Sequence, residues 1–174
     1  MRLLIANFDC QNIVSKDQVV RAVKRLPRSH YAGIQAIRYD PYRTLGTMVA
    51  AMQNKPFSPH TEGFFYRDPE YNLSVIVVFR FHSLPEFYHI LYHEIGHYVF
   101  LKVLNQNQRD EWLYSVRRAE RKWVSRRARQ NAKEDFAETY AYFCTIQSRL
   151  SEVPRKAAFF RYNVFEGMEL PALS

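Results

Sequence analysis

Apolar residues are arranged in two different ways along the chain, and the arrangement predicts where strands and helices lie. Short, nearly continuous apolar runs predict strands, because a strand buried on both faces has few polar positions. The predicted strands are residues 3–8, 33–39, 62–66 and 73–81. Residues 68–70 read Asp-Pro-Glu, a typical turn sequence, so we expect the third and fourth strands to form a hairpin.

Apolar residues three and four positions apart predict helices, because those positions share one helical face. The predicted helices are residues 16–26, 83–104, 110–129, 132–150 and 154–166. Residues 43–52 are ambiguous between a short helix and a loop. With 174 residues, the chain is long enough for one real core, so this order of elements predicts a single α+β domain spanning 1–174.

The helix predicted at 83–104 carries the main chemical signal, the letters H-E-I-G-H at 93–97. Ser83 is placed to cap the start of this helix. His93 and His97 lie one turn apart on the same face, so both imidazoles can reach one cation. Glu94 projects about 100° round the helix, where a carboxylate is needed to take a proton from a water beside the metal.

A zinc ion held by two histidines needs a third protein ligand and one open position. No histidine follows His97 in the sequence. A later predicted helix contains K-E-D-F-A-E at 133–138, in which Glu134 and Glu138 share one face among apolar residues. Buried carboxylates are costly unless they are paired or bound to metal. We therefore assign Glu134 as the third ligand and Glu138 as the acceptor of a ligand histidine's other ring N–H, and expect Asp135 at the surface.

The two motifs together resemble the gluzincin metallopeptidases, and most closely the group of the anthrax lethal factor catalytic domain and the clostridial Pro-Pro endopeptidases. The resemblance implies a zincin-like fold, in which a small mixed sheet with an edge strand lies beside helices that carry the two motifs. It also implies one zinc ion. In that family the matching residues serve as zinc ligands (His93, His97 and Glu134), general base (Glu94) and support for a ligand (Glu138).

The resemblance further implies how a substrate is bound. The family's edge strand precedes the zinc helix and pairs with the backbone of an extended substrate. The matching residues here are Gly63, Phe64, Phe65 and Tyr66. The family also places a tyrosine that stabilises the oxyanion seven residues before the glutamate ligand, a position that this chain fills with arginine. The candidate oxyanion donors are Tyr140, Tyr114 and Arg127.

Composition adds expectations about folding and location. Apolar residues make up 47% of the chain, so it should bury a core rather than stay disordered. The only two cysteines, Cys10 and Cys144, form neither a CxxC pair nor a dense disulfide frame, which favours a reduced environment. The first residues do not resemble a signal peptide. We therefore expect a cytoplasmic protein, with leaderless export as the alternative.

The net charge of +8 is concentrated in one stretch, which the periodicity predicts to be a basic helix over 117–129. Its cations are Arg117, Arg118, Arg121, Lys122, Arg126, Arg127 and Arg129. Such a face is either simply solvated or a docking surface for an acidic protein or a nucleic acid. No sequence signature of a nucleic-acid-binding fold accompanies it.

The sequence as a whole predicts a zinc endopeptidase that cuts a protein or peptide substrate. Glu94 is expected to take a proton from the attacking water and return it to the leaving amine. Two alternatives remain open. One is a non-catalytic module that zinc stabilises and that binds an acidic protein or nucleic acid through residues 117–129. The other is a regulator protease of the type that cuts a repressor, whose motifs are more closely spaced.

Overall fold

The computed structural model describes residues 3–52, 58 and 60–173, and these form a mixed α+β fold. Its strands are β1 (Leu4–Ala6), β2 (Ala36–Tyr39), β3 (Gly63–Asp68) and β4 (Leu73–Val78). Their order in the sheet is β1-β2-β4-β3. The pairs β1–β2 and β2–β4 are parallel, whereas β3 and β4 form the predicted antiparallel hairpin. Within the described residues, β3 is therefore an edge strand of the sheet.

The helices follow the predicted order but several are shorter than expected. They are α1 (Lys16–Lys24), α2 (Thr44–Met52), α3 (Leu84–Tyr98), α4 (Gln106–Asp110), α5 (Arg117–Ala119), α6 (Ala132–Thr145) and α7 (Pro154–Phe159). Wider π-helical turns extend α3 over Val99–Val103, connect α4 to α5 over Glu111–Val116, and extend α7 over Phe160–Val164. Short 3-10 turns lie at Phe8–Cys10, Arg28–His30, Arg127–Arg129 and Gln147–Glu152. No helix in the described ranges is both long and apolar enough to cross a membrane.

The start of α3 is set by its cap, as the sequence predicts. The Ser83 hydroxyl accepts the backbone N–H of Glu86 at 3.3 Å, and Pro85 lies in the first turn, where no backbone donor is needed. This start determines which way the two histidines face, because each residue along a helix turns its side chain by about 100°.

The sheet has a core on each face. On one face, Ile37, Ile76 and Val78 belong to the main core, together with side chains of α1, α3 and α6. On the other face, a smaller cluster centred on Val77 packs against Leu45 of α2. Alternate residues of β4 thus enter different cores, which explains why that strand is almost entirely apolar.

Helices α3 and α6 approach closely at Gly96. A Cβ atom at Gly96 would lie 2.9 Å from the Cα of Ala137 and 3.1 Å from the Cβ of Tyr140. Because the nearest atom belongs to the backbone, it cannot move aside as a flexible side chain can. This close packing brings the first turn of α6 against the histidines of α3.

The predicted helix over 110–129 is wrong in its second half, and with it the basic helix over 117–129. The α-helix ends at Ala119, and only the short 3-10 turn at Arg127–Arg129 follows within the predicted range. Beyond it, the carbonyl oxygen of Lys122 accepts a hydrogen bond from Lys156 at 3.0 Å, and the Lys156 ammonium lies 4.3 Å from the centre of the Trp123 ring. A fully buried ammonium needs such acceptors. We infer that these tertiary contacts outweigh the local helical periodicity.

Candidate metal centre

Helices α3 and α6 bring the three predicted ligands together. The Nε2 atoms of His93 and His97 are 3.0 Å apart. One carboxylate oxygen of Glu134 lies 3.3 Å from the His93 nitrogen, and the other lies 3.3 Å from the His97 nitrogen. Among the described residues, these three side chains form a group that can hold a metal ion.

The spacing of these donors suits a small tetrahedral ion. Metal–ligand bonds of about 2.0–2.1 Å at tetrahedral angles place two donors about 3.3 Å apart. The three donor separations are 3.0, 3.3 and 3.3 Å. Two imidazoles and one carboxylate also leave one coordination position open, the arrangement of hydrolytic metal sites. Both the geometry and the chemistry of the donors therefore fit a bound ion.

Glu138 lies on the far side of the His93 ring from the ligand cluster. Its Oε1 is 2.7 Å from His93 Nδ1, and its Oε2 accepts the Ser125 hydroxyl at 2.6 Å. The His89 Nε2 lies 3.5 Å from the same Oε1. A proton held on Nδ1 leaves the lone pair of Nε2 free for a metal. From this position Glu138 can set the tautomer and orientation of the His93 ring.

The electrostatics of the cluster favour a cation. Burial on its own lowers the pKa of His93, but the adjacent carboxylates of Glu134 and Glu138 more than offset this effect and raise the pKa to about 9. Burial acts in the opposite direction on Glu134, yet His93 and His97 hold the pKa of that carboxyl well below its usual range. The carboxylates thus create a negative potential at the imidazole nitrogens, where a divalent ion can take the place of the protons.

Arg127 is in direct contact with the proposed third ligand. Its Nε donates to Glu134 Oε2 at 2.8 Å, and its side chain is 38% exposed. Burial lowers the pKa of Arg127, but the charges of Glu94 and Glu134 outweigh burial and raise it. Arg127 is therefore the oxyanion candidate that the structure brings to the cluster.

The other two candidate donors lie elsewhere. Tyr140 is fully buried, and its hydroxyl lies 2.8 Å from the Nδ1 of His30, on the core side of α6. Tyr114 is 59% exposed on the turn before α5, with the guanidinium of Arg118 over its ring. We set both aside. Tyr140 lies six residues after Glu134 on α6, so its side chain extends from a different face of the helix.

Glu94 lies beside the start of the edge strand β3. It is 2% exposed, and a Cβ atom at Gly63 would lie 2.9 Å from its Oε1. The same Cβ atom would lie 2.7 Å from Cγ2 of Ile90. A side chain at Gly63 would therefore force Glu94 and Ile90 to shift. The expected general base and the expected substrate strand therefore adjoin each other.

The remaining residues of the predicted edge strand alternate between its two faces. Phe65 makes an edge-to-face contact with Tyr98 of α3, with ring centres 5.9 Å apart. Phe64 and Tyr66 stack on each other on the opposite face, with ring centres 6.4 Å apart. Phe65 thus packs β3 against α3, and the outer edge of β3 has no strand partner among the described residues.

Two features near the cluster escaped the sequence prediction. One is Ser125, which bonds to Glu138. The other is Asp135, which was expected at the surface but is completely buried, with Lys156 Nζ 2.8 Å from its Oδ1. Burial raises the pKa of Asp135 to about 6, although Lys156 acts against it. The sequence around Asp135 gives no sign of this ion pair, because Lys156 lies 21 residues further along the chain, on α7.

A cavity of about 810 Å³ lies away from the metal cluster, beside β1 and α1. It is lined by apolar side chains of both elements and by three cations, Lys16, Lys24 and Arg28. None of the three ligand residues lines it. This cavity is therefore separate from the ligand cluster.

Comparison with known proteins adds no family assignment. A scan against protein-family models and a search of curated proteins both find no match for the chain.

Proposed function

We propose that this protein is a zinc-dependent endopeptidase of the gluzincin type. One observation carries the proposal. Two imidazole nitrogens and a carboxylate converge with separations of 3.0–3.3 Å, and the carboxylate of Glu94, the residue after His93, lies beside Gly63 at the start of an edge strand. This combination supports a hydrolytic site better than a purely structural one, because a closed structural zinc site has four protein ligands.

Zinc is the ion that suits these donors best. Imidazole nitrogen combined with carboxylate oxygen in a tetrahedral arrangement is typical of zinc, whereas magnesium and calcium prefer shells of oxygen. His93, His97 and Glu134 would hold the ion. When bound, zinc supplies an acidified water and polarises a carbonyl group.

The chain's own residues perform the remaining steps. The backbone of β3 holds an extended substrate through its unpaired N–H and C=O groups. Glu94 accepts a proton from the attacking water and delivers it to the leaving amine. Arg127 keeps Glu134 ionised and oriented, and its remaining N–H groups supply positive charge for the carbonyl oxygen as it becomes negative.

A second candidate is a zinc-stabilised binding module without catalysis. The observation in its favour is the hydrogen bond of Arg127 to Glu134, at the sequence position where the resembling family has a tyrosine. An arginine that is bonded to the ligand has fewer donors left for a transition state. The module predicts that substitutions of Glu94 leave the protein's function unchanged.

The proposal is tested by metal stoichiometry combined with metal-dependent cleavage. The protein is stripped with a chelator, reloaded with zinc, and incubated with a denatured proteome whose new termini are identified by mass spectrometry. We expect one zinc per chain and cleavage that appears only after reloading. Correctly folded protein that binds no zinc would overturn the proposal, and so would cleavage of equal rate in the stripped protein.

A further inference from the structure

Residues 120–129 form a segment that is attached to the metal cluster at two points. We refer to these residues as the basic rim. Ser125 donates to Glu138 at 2.6 Å and also accepts the backbone N–H of Ala128 at 3.1 Å. Arg127 donates to Glu134 at 2.8 Å. Two hydrogen bonds, one to the proposed ligand Glu134 and one to Glu138 beside His93, therefore fix the position of the rim relative to the cluster.

The outer surface of the basic rim is strongly positive. Its exposed cations are Arg121, Lys122, Arg126 and Arg129. Within residues 3–52, 58 and 60–173, none of these four side chains takes part in an ion pair. The single acid of the rim, Glu120, accepts the backbone N–H of Arg155 at 3.3 Å. Four like charges within residues 121–129 repel one another, so the binding of an anionic partner is favoured here.

The aromatic residue of the rim is not free to stack on nucleic-acid bases. The ring of Trp123 lies 4.3 Å from the ammonium of Lys156 and 5.1 Å from the guanidinium carbon of Arg117. Single-stranded nucleic acids are typically held by exposed aromatic platforms next to cations. Trp123 packs against cations of its own chain instead, which favours a peptide over a nucleic acid as the anionic partner.

We propose that the basic rim selects peptide substrates that carry acidic residues near the bond to be cut. This inference rests on the proposed function and adds the class of its substrate. Glu94, the residue after His93, lies beside Gly63 of β3, and Glu134 is bonded to Arg127 of the basic rim. When a peptide pairs with β3, the Glu94 carboxylate repels acidic side chains of the peptide that lie close to it. The cations of the rim attract acidic side chains that reach them.

The inference is tested by binding, which does not depend on turnover. Zinc-loaded Glu94→Gln protein is mixed with a random peptide library, and the bound fraction is sequenced by mass spectrometry. We expect peptides with two or more Asp or Glu residues to be enriched about tenfold at low salt, because a few surface charge contacts supply roughly that factor. The enrichment should fall as salt shortens the range of these interactions. Equal recovery of acidic and neutral peptides would overturn the inference.

A pair of matched variants assigns the effect to the rim. Arg126→Glu combined with Arg129→Glu should abolish the enrichment. The control, Arg21→Glu combined with Lys24→Glu, changes the net charge equally on α1, which packs beside β1 at the opposite edge of the sheet, and should retain it. Equal loss in both variants would contradict a role for the rim.

Two further outcomes separate this inference from competing ones. A random-sequence single-stranded DNA of matched charge serves as competitor. If it displaces acidic peptides at lower concentration than the peptides displace it, the rim is a nucleic-acid surface and the inference fails. If acidic peptides bind selectively but no peptide is cut by the zinc-loaded wild type, the proposed hydrolysis fails and the selectivity of the rim stands.

Discussion

Arg127 contacts the carboxylate that we propose as the third metal ligand. It is bonded to Glu134 through Nε, in the planar geometry that only a guanidinium offers. Lysine at this position would keep the charge but not the fixed direction of the bond. At the scale of single residues, Arg127 and Glu138 each contact one of the three proposed ligands, so we expect both to influence metal binding.

Replacing Arg127 should weaken zinc binding. We expect Arg127→Lys and Arg127→Gln to raise the zinc dissociation constant by about 10- to 100-fold, the usual effect of losing a group that orients a ligand. The constant is measured by competition with a chromophoric chelator. Arg129→Gln, an exposed neighbour on the same turn, serves as control and should bind zinc as the wild type does. Unchanged affinity in both Arg127 variants would contradict an orienting role.

At the scale of elements, the cluster depends on the close approach of α3 and α6. Both histidines lie on α3 and Glu134 lies on α6. The distances from Glu134 to the two histidines therefore depend on how far apart the two helix axes are. Gly96 permits that distance, since a Cβ atom there would meet the backbone of Ala137 at 2.9 Å.

A side chain at Gly96 should therefore disturb both stability and metal binding. We expect Gly96→Val to lower the free energy of unfolding by about 1–3 kcal/mol, the usual range for overpacking, and to weaken zinc binding by moving Glu134 away from the histidines. Urea unfolding and chelator competition measure the two effects.

A core variant remote from the ligands separates these two effects. Val164→Ala should destabilise the protein by about 2 kcal/mol, because truncating this buried side chain leaves a cavity in the core, and it should leave zinc affinity unchanged. If both variants lose zinc affinity equally, then affinity follows global stability and the argument from helix separation is wrong.

At the scale of the whole molecule, His30 ties the C-terminal turns to the core. Its Nδ1 lies 2.8 Å from the Tyr140 hydroxyl and its Nε2 lies 3.1 Å from the carbonyl oxygen of Val164. The neutral ring satisfies both partners when Nε2 carries the proton. Burial lowers the pKa of His30 to about 4, although the Val164 carbonyl acts in the opposite direction.

This shift predicts a loss of stability in mild acid. The unfolded chain binds the proton with an ordinary pKa of 6.5, whereas the folded chain binds it only near 4, so acid favours unfolding. The contribution of His30 is complete above pH 6.5 and is lost as the pH falls toward 4, by about 2 kcal/mol at pH 5. We expect urea unfolding of His30→Gln to depend less on pH between 7 and 5 than that of the wild type. Equal pH dependence of the two proteins would contradict the assignment.

The parts of this molecule that could be predicted from sequence are those with local signals. The hairpin, the cap at Ser83 and the shared face of His93 and His97 follow from spacing along the chain, whereas Glu134 is predicted from the acidic pair on an apolar helical face and from the family resemblance. The end of the α-helix at Ala119 and the burial of Asp135 could not be predicted in this way. Both features involve Lys156 of α7, which donates to the carbonyl oxygen of Lys122 and to the carboxylate of Asp135. Local periodicity gives no sign of these contacts.

The most direct test of the hydrolytic proposal compares the wild type with Glu94→Gln, each loaded with one zinc ion, in a cleavage assay on the peptides that the wild type cuts. The two side chains have nearly the same size, but glutamine cannot accept a proton. The account predicts that Glu94→Gln binds zinc as tightly as the wild type and that its cleavage rate falls by about 100-fold or more, the range for loss of a general base. Cleavage at the wild-type rate by the zinc-loaded variant would contradict it.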